Sequence, residues 1–332
     1  MTVLYVASDK PAAGKTALCS SLSVLFNKHG LSSAVYKLIS SQEEEEVFSQ
    51  HLENFSKLLN PKNVLDSINL PKQFTIEDLV KPLKEEEENF DVLIIEAPSS
   101  QTPTDVAKTA KLLDSHVLEI INFSPDIDIV DLKNLCNTFS NIKFNFLINN
   151  VTKHSGHSLQ KNFLDPSVPI SNQILGAVPE KRSLVGVSID SIVNLVDGHI
   201  IDFNNPADHN QLINHFMVGG WSLDAGELYF GLLEQKAAII RGDRPDMQMA
   251  ALSTKTACLI LTGGFSPNQY VVLQAEEKGI PLIVTNQDTI ATMELLNNVE
   301  NFSRFDHSDK LEKFVDLIEM NIDTKSILKL II

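Results

Sequence analysis

The chain has 332 residues, of which 43% are hydrophobic, and its formal net charge at pH 7 is −16. This length accommodates two domains of roughly 100–200 residues each, and the composition is typical of a globular protein with a full core. The acidic excess argues against a nucleic-acid partner, because contacts to phosphate need clustered Lys and Arg. The apolar runs are all shorter than the roughly 20 residues of a membrane span, so no membrane partner is expected.

The N-terminus and the cysteines predict a cytoplasmic protein. Thr2–Ser8 is short, strand-like and without a basic leader, which indicates that no signal peptide is present. Cys19, Cys136 and Cys258 lie far apart in apolar segments. We therefore expect reduced thiols in the core rather than disulfides or metal ligands.

The first motif with chemical meaning is the stretch 8–16, SDKPAAGKT. It follows the apolar run Val3–Ala7 and precedes a helical pattern over Thr16–Phe26. A strand, a tight loop and a helix in this order form the context in which Gly-Lys-Thr binds phosphate, because free N–H groups and the helix dipole favour an anion there. The alternative is a chance Gly-Lys-Thr in the first turn of a helix. A strict P-loop has glycine five residues before Gly14, where this chain has Asp9, so the loop is a variant.

The predicted nucleotide site contains six consecutive residues: Ala12, Ala13, Gly14, Lys15, Thr16 and Ala17. Lys15 would reach the outer phosphates of ATP, and the Thr16 hydroxyl would ligate Mg²⁺. ATP and Mg²⁺ are therefore the predicted cofactors. Because Lys15 lies in a loop, we expect its side chain to be exposed.

Two further strands of the first half end in charged residues. The strand predicted over Ala34–Ile39 carries Lys37 near its C-terminal end, where open parallel sheets bind their ligands. The run Asn89–Pro98 predicts a buried strand whose carboxylate, Glu96, could orient Mg²⁺ or its water. Alternatively, Lys37 is a solvated surface lysine, and the strand that ends at Glu96 is an ordinary strand with a polar end.

The first half also contains two runs of four glutamates, Glu43–Glu46 and Glu85–Glu88. The first precedes a helical pattern and could supply a Mg²⁺ ligand or face water. The second precedes a strand and is predicted to be a solvated loop.

Strands and helices alternate through the rest of the first half. We predict helices over Asp105–Leu113 and Asp126–Phe139, each followed by a strand, at His116–Ile121 and Phe144–Ile148. A last strand is predicted over Ile174–Pro179. Strands that alternate with helices in this way predict a doubly wound parallel sheet.

The alternation restarts in the second half, after a boundary between about Lys181 and Gly220 that contains a short predicted helix and two turns, one of them at Asp197-Gly198. The second set of predicted helices and strands is Leu223–Leu233, Ala237–Ile240, Met247–Leu252, Cys258–Leu261, Asn268–Lys278, Leu282–Thr285 and Thr289–Leu296. We therefore predict a P-loop domain over residues 1–183, a linker over 184–203, and a smaller α/β domain over 204–332.

Three loops of the second domain combine glycines with polar residues, and they contain the candidate ligand residues Gly219, Gly220, Asp243, Arg244, Thr262, Gly263 and Gly264. Each loop comes at a strand end or before a helix, where backbone N–H groups can meet an anion. Alternatively, the glycines are left-handed turn positions and Asp243-Arg244 is a surface pair.

These residues resemble a known arrangement of two domains. The first domain resembles the dethiobiotin-synthetase-like P-loop domain. From about Asn204 to Leu296 the chain resembles the DRTGG domain, through Met217–Asp224, Gly242–Asp246 and Leu261–Gly264. The same pairing forms the N-terminal, non-catalytic half of long bacterial phosphotransacetylases.

The resemblance implies roles for four residues. Lys15 and Thr16 would contact ATP phosphate and Mg²⁺, Lys37 matches a lysine that helps to bind and carboxylate the substrate, and Glu96 matches the acid of the second nucleotide motif and would ligate Mg²⁺. The chain departs from the family pattern where Leu38 replaces a proline, Ala97 replaces a glycine and Pro11-Ala12 replaces Thr-Gly.

The resemblance therefore implies a cytoplasmic regulatory or sensor protein without an acetyltransferase domain. It would bind ATP with Mg²⁺ and a small anionic ligand at the DRTGG loops. Its readout would be homo-oligomerisation or a partner enzyme of acetyl-phosphate metabolism. The alternative is an ATP-dependent ligase or synthetase acting on a carboxylate substrate, with Lys15, Lys37 and Glu96 as catalytic residues.

Overall fold

A computed structural model describes residues 1–40, 53, 55–65, 68–70, 83, 89–201, 211–220, 226–297 and 299–331. It divides into two compact units, Met1–Lys181 with Phe305–Ile332, and Arg182–Arg304. Both acidic runs, Glu43–Glu46 and Glu85–Glu88, lie outside the described residues, as does Trp221–Asp224 of the DRTGG-like stretch.

The first unit is built on one parallel sheet with helices between its strands. The strands are β1 (Thr2–Ser8), β2 (Ser33–Ser40), β3 (Ile68–Leu70), β4 (Val92–Glu96), β5 (His116–Asn122), β6 (Phe144–Val151) and β7 (Ile174–Pro179). The helices are α1 (Lys15–Lys28), α2 (Pro103–Leu112), α3 (Ile129–Thr138), α4 (Gly156–Leu159), α10 (Ser308–Asn321) and α11 (Thr324–Leu328). The strand order β3-β2-β4-β1-β5-β6-β7 confirms the predicted doubly wound α/β class.

Strand β1 lies at the centre of this sheet, between β4 and β5, and is apolar because both of its faces are covered. Tyr5 and Ala7 share a buried cluster with Val106 of α2 and Leu132 of α3. Helix α1 packs along β1, β2 and β4 and against α10. The first turn of α1 therefore begins directly above the C-terminal edge of the sheet.

The second unit has a smaller sheet that is mainly parallel. Its strands are β8 (Val187–Ser188), β9 (Gly198–Ile200), β10 (Leu212–Ile213), β11 (His215–Gly219), β12 (Lys236–Arg241), β13 (Thr256–Thr262) and β14 (Leu282–Thr285). Its helices are α5 (Ile189–Leu195), α6 (Gly226–Phe230), α7 (Pro245–Leu252), α8 (Gln269–Lys278) and α9 (Thr289–Leu296). The main sheet has the order β11-β12-β13-β14-β9, in which β9 is antiparallel to β14, and β8 pairs separately with β10.

The domain boundaries differ from those predicted. Residues 184–203 are not a linker, because they contribute β8, α5 and β9 to the second unit. Residues from Phe305 onwards return to the first unit, where α10 buries Leu311, Phe314 and Ile318 and packs on α1. The Thr2 hydroxyl also donates a 2.9 Å hydrogen bond to the carbonyl oxygen of Ile331. The segment belongs to the first unit because α10 buries its apolar face there, although it follows the second unit in the sequence.

Three further findings concern membrane spans, cysteines and metal sites. Among the described residues, no helix has the length and apolar content needed to cross a bilayer. All three cysteines are free: Cys19 and Cys258 are buried, while Cys136 is only half-buried. The described His, Cys, Asp and Glu side chains do not gather in threes or more as a metal site would require.

Candidate functional site

Three adjacent strands bring the predicted charged residues to one edge of the first sheet. Glu96, at the end of β4, is in register with Val6 of β1 on one side and with Lys37 of β2 on the other. The loop that leaves β1 turns into α1 at Gly14, so Lys15 and Thr16 form the first turn of that helix above the same edge.

Glu96 connects two of these side chains. The Thr16 hydroxyl donates to Glu96, with Oγ1 3.0 Å from Oε2 and 3.2 Å from Oε1. The Lys37 ammonium donates to Glu96 Oε1 over 2.8 Å, and the two side chains are only 6% and 3% exposed. The Glu96 carboxylate is therefore a buried acceptor for both residues. The adjacent hydroxyl and carboxylate oxygens of Thr16 and Glu96 form the kind of hard donor set that Mg²⁺ prefers.

Lys15 lies beside this pair and is buried, which corrects the expectation of an exposed side chain. It is 6% exposed because its Nζ folds back between Ser8 Oγ, at 3.0 Å, and Ser99 Oγ, at 3.1 Å. Burial lowers the pKa of Lys15, the nearby Glu96 carboxylate opposes this shift, and the Lys37 charge reinforces it. Among the described residues, the hydrogen-bond acceptors of Lys15 are two neutral hydroxyls, and no carboxylate is bonded directly to its ammonium.

The geometry of the loop requires glycine at position 14. Gly14 caps α1 with φ of 103°, in the left-handed region that L-residues avoid. A Cβ on Gly14 would lie 2.7 Å from Asn149 Nδ2. Asn149, at the end of β6, donates from Nδ2 to the Ala13 carbonyl oxygen over 2.8 Å and so fixes the loop from the other side. Neither Asn149 nor Ser99 belongs to a local motif, so neither could be recognised as a site residue from the sequence.

Asp9 occupies the position where a strict P-loop has glycine, and the structure gives a reason. Its backbone N–H donates to the Ile120 carbonyl oxygen over 3.2 Å, and its Oδ1 accepts from the Asn122 N–H over 3.0 Å. Asp9 therefore extends the pairing between β1 and β5 into the loop. Burial raises the pKa of this carboxyl, while the hydrogen bond from Asn122 lowers it.

The remaining predicted residues of the loop differ in burial. Ala12 is exposed and takes φ of 56°, whereas Ala13 is fully buried. Ala17 is buried on α1. Lys15, Thr16, Lys37 and Glu96 are thus the predicted residues that the fold brings together through side chains.

In the second unit, the three candidate loops lie at the C-terminal ends of neighbouring parallel strands β11, β12 and β13. Their charged side chains are already paired within the loops. Arg244 donates to Asp246, with Nε–Oδ1 3.0 Å and an NH2–Oδ2 distance of 2.8 Å. Arg241 makes the equivalent fork with Asp243, at 3.0 and 2.6 Å.

The glycine residues of these loops mostly serve the fold, which corrects the expectation that their N–H groups meet an anion. Gly263 and Gly264 take φ of 86° and 71°, and their N–H groups donate to the carbonyl oxygens of Gln287 and Thr285. Gly219 is buried, and a Cβ there would lie 2.7 Å from Phe230.

The other members of the predicted second-domain set are divided between the core and the surface. Thr262 is fully buried, and its hydroxyl lies 2.8 Å from that of Thr289. Gly220 and Asp243 are exposed and Arg244 is half-buried, so these three residues remain open to a ligand.

Comparison with known families bears on the second unit. The family model of the DRTGG domain matches residues 191–299, which confirms that this chain contains a DRTGG domain. The match begins before the predicted start at 204 and covers residues 191–203 of the segment that we predicted as a linker. A curated relative, Uncharacterized protein YtoI of Bacillus subtilis (strain 168), is 27% identical over 121 residues, which are 36% of this chain and 26% of that protein.

Three solved structures show a distant similarity. MinD cell division protein of Aquifex aeolicus is 17% identical, covers 56% of this chain and 85% of its own, and has a TM-score of 0.35. A ParA family ATPase from Chlorobium tepidum TLS is 13% identical, with coverages of 54% and 85% and a TM-score of 0.35. The CBS and DRTGG domains of a Clostridium perfringens pyrophosphatase are 13% identical, with coverages of 47% and 74% and a TM-score of 0.32. Similarities of this size assign no function to the chain.

Proposed function

We propose that this chain is a regulatory protein that binds ATP with Mg²⁺ in its first unit and a small anionic ligand at its DRTGG domain. The observation that carries the proposal is the buried ammonium of Lys15, at the N-terminus of α1, whose hydrogen-bond partners in the described part of the chain are two neutral hydroxyls. A buried charge without a bonded counterion is costly, and a helix N-terminus favours an anion. A nucleotide phosphate would supply the missing negative charge.

The neighbouring residues fit the remaining parts of Mg-ATP. The Thr16 hydroxyl and the Glu96 carboxylate would hold Mg²⁺ together with phosphate oxygens and water. The metal would neutralise phosphate charge in the site. The N-terminus of α1, which Gly14 opens, would direct backbone N–H groups at the phosphates.

Calorimetric titration of the full chain with Mg-ATP tests this function, followed by measurement of phosphate release from the same sample. We expect saturable binding at one site per chain that is weakened when Mg²⁺ is omitted. Binding without steady phosphate release supports a regulatory protein. Failure to bind at any accessible concentration would contradict the proposal.

A second candidate function is an ATP-dependent ligase or synthetase, and one observation favours it. Lys37 places a buried cation 2.8 Å from Glu96 Oε1, next to the proposed metal ligands. If Glu96 turned towards Mg²⁺, Lys37 would be free to hold a substrate carboxylate. Phosphate release that rises when carboxylic acids are added would favour this enzyme over the regulatory protein.

The second ligand is proposed to bind at Arg244, the half-buried cation of the DRTGG loops. We expect Arg244→Ala to weaken anion binding by about tenfold, as for loss of one charge-assisted contact, and to leave Mg-ATP affinity unchanged. Diadenosine tetraphosphate is the first probe, since the structure of the CBS and DRTGG domains of the pyrophosphatase is a complex with it as an activator. The measurement is a calorimetric titration of each full-length variant.

Arg241→Ala is the matched control, because Arg241 forms the same fork with a nearby aspartate but is 61% exposed. An equal effect of the two substitutions would indicate general electrostatic attraction and contradict a site at Arg244. Use of the full chain is required, because the segment from Phe305 onwards packs with the first unit.

The readout of ligand binding is proposed to be homo-oligomerisation or contact with an enzyme of acetyl-phosphate metabolism. Both readouts rest on the resemblance to the non-catalytic half of phosphotransacetylases. Either one would couple to ATP only if ATP binds two conformations of the chain with different affinities.

A further inference from the structure

A buried carboxyl lies immediately behind the phosphate loop. Glu119, in the middle of β5, is 2% exposed, in a strand whose other inner residues are apolar. Among the described residues, no donor reaches its Oε2. An acid with an unsatisfied buried oxygen destabilises the fold, so its presence calls for a functional reason.

The register of the sheet fixes the position of Glu119. It pairs with Ala7 of β1, one residue before Ser8, whose hydroxyl accepts from Lys15. On its other side it pairs with the uncharged Phe146 of β6. The side chain therefore lies beneath the start of the loop that carries the proposed phosphate ligands.

The titratable groups facing Glu119 come from β1, the loop and the start of α1. They are the Tyr5 hydroxyl, the Asp9 carboxyl and the Lys15 ammonium. The helices that cover this face, α2 and α3, bury Val106, Thr109, Ala110 and Leu132, which carry no charge. Of the described residues, Lys15 is therefore the cation that acts on Glu119, and Asp9 is the competing anion.

Burial, reinforced by the Asp9 charge and opposed by Lys15, raises the pKa of Glu119 to about 8. At neutral pH the carboxyl is therefore mostly protonated and adds no negative charge beneath the loop. The Lys15 charge is then left for an incoming anion. An ionised Glu119 would partly neutralise Lys15 and would repel a phosphate.

We propose that Glu119 is a positioning residue of the phosphate site, which must carry its proton for Lys15 to offer an uncompensated charge to a nucleotide phosphate. The proposal rests on the proposed nucleotide site. It predicts that nucleotide binding is coupled to proton uptake at pH values where Glu119 is ionised in the free protein. The proton goes to a Glu119 carboxylate oxygen, and no covalent bond to the nucleotide is made.

The direction of the pH effect follows from linkage. A bound phosphate brings negative charge close to Glu119 and raises the pKa of that carboxyl further. Affinity is therefore highest where Glu119 is protonated in the free protein and falls as the pH rises through about 8. The limiting slope for one coupled proton is about tenfold in affinity per pH unit.

The test compares the full chain with Glu119→Gln, which keeps the shape and is neutral at every pH. Mg-ATP titrations are run at about pH 7 and about pH 9, on either side of the Glu119 pKa. At an intermediate pH they are repeated in two buffers of different ionisation enthalpy, to count protons taken up. We expect the native chain to lose roughly tenfold in affinity and to take up a fraction of a proton. The variant should lose less affinity than the native chain over the same range and take up fewer protons, because the loss that remains comes from Lys15, which both proteins contain.

Parallel pH profiles and equal proton uptake in the two proteins would overturn the role of Glu119 while leaving the nucleotide site in place. Absence of Mg-ATP binding in the native chain at both pH values would instead refute the proposed nucleotide site, and the inference with it.

A second variant decides the question if Glu119→Gln fails to fold. Asp9→Asn retains the acceptor for the Asn122 N–H but removes the charge that, in addition to burial, raises the pKa of Glu119. It should move the fall in affinity to lower pH, and an unchanged midpoint would overturn the inference.

Discussion

Replacement of Glu96 by glutamine is expected to lower the free energy of unfolding of the first unit by about 3–5 kcal/mol, the usual cost of breaking a buried ion pair. The substitution leaves the Lys37 ammonium in a site where it is 6% exposed and without its counterion. It also replaces the acceptor of the Thr16 hydroxyl by an amide. Equilibrium unfolding in urea, followed by circular dichroism, measures the change.

Two further variants show whether the effect belongs to the pair. Lys37→Met in the Glu96→Gln background removes the stranded charge and should restore most of the lost stability, because a buried ion pair is often replaced by apolar residues at little cost. Glu319→Gln, which breaks the more exposed Lys28–Glu319 pair on α1 and α10, should cost less than about 1 kcal/mol. Equal losses for Glu96→Gln and Glu319→Gln would show that Lys37 and Glu96 are not coupled in the folded protein.

The elements that could be predicted from the sequence are those whose pattern is clearly bounded by local signals. Strand Leu282–Thr285 and helix Thr289–Leu296 agree with prediction at both ends, because the apolar run and the capping Asp288 are local signals. Strand β9 could not be predicted, since three residues carry no periodicity. The predicted turn at Asp197-Gly198 is present, with φ of 48° at Asp197, but the strand that follows it depends on pairing with β14.

The part of the candidate site that lies near the C-terminal ends of strands could be predicted from the sequence. Lys37 and Glu96 lie at one level because β2 and β4 are parallel neighbours in register, although β2 continues to Ser40. The β-α alternation already implies that such strands have their C-terminal ends on the same side of the sheet. Ser99 and Asn149 could not be found in this way, because their roles depend on which loop folds over them.

The glycine residues of the DRTGG loops show a different limit. A left-handed turn and an anion site use the same residue type, and only the partner of each N–H distinguishes them. In Gly263 and Gly264 those N–H groups bond to carbonyl oxygens of the chain. The sequence therefore indicated where the loops lie but not which groups in them are free.

Replacement of Lys15 by methionine should weaken Mg-ATP binding by at least about 100-fold, as expected when one partner of a buried charge pair is removed. The same change should not lower the stability of the free protein. Burial depresses the pKa of Lys15, so its charge opposes folding at every pH below that lowered pKa, and the opposition fades as the pH rises towards the unfolded value. Methionine fills similar space without a charge.

Thermal melts with and without Mg-ATP, together with calorimetric titration, separate the two effects. Mg-ATP should raise the melting temperature of the native chain but not that of the Lys15→Met chain. Without nucleotide, the Lys15→Met chain should melt at a temperature at least as high as the native chain. Lys28→Ala is the control, because Lys28 is the exposed lysine at the other end of α1 and should leave Mg-ATP affinity unchanged. Equal stabilisation of the native and Lys15→Met chains by Mg-ATP would place the nucleotide elsewhere. At a phosphate site, the replacement of a buried cation with neutral bonded partners by an apolar side chain must lower the affinity, because the phosphate loses its counterion.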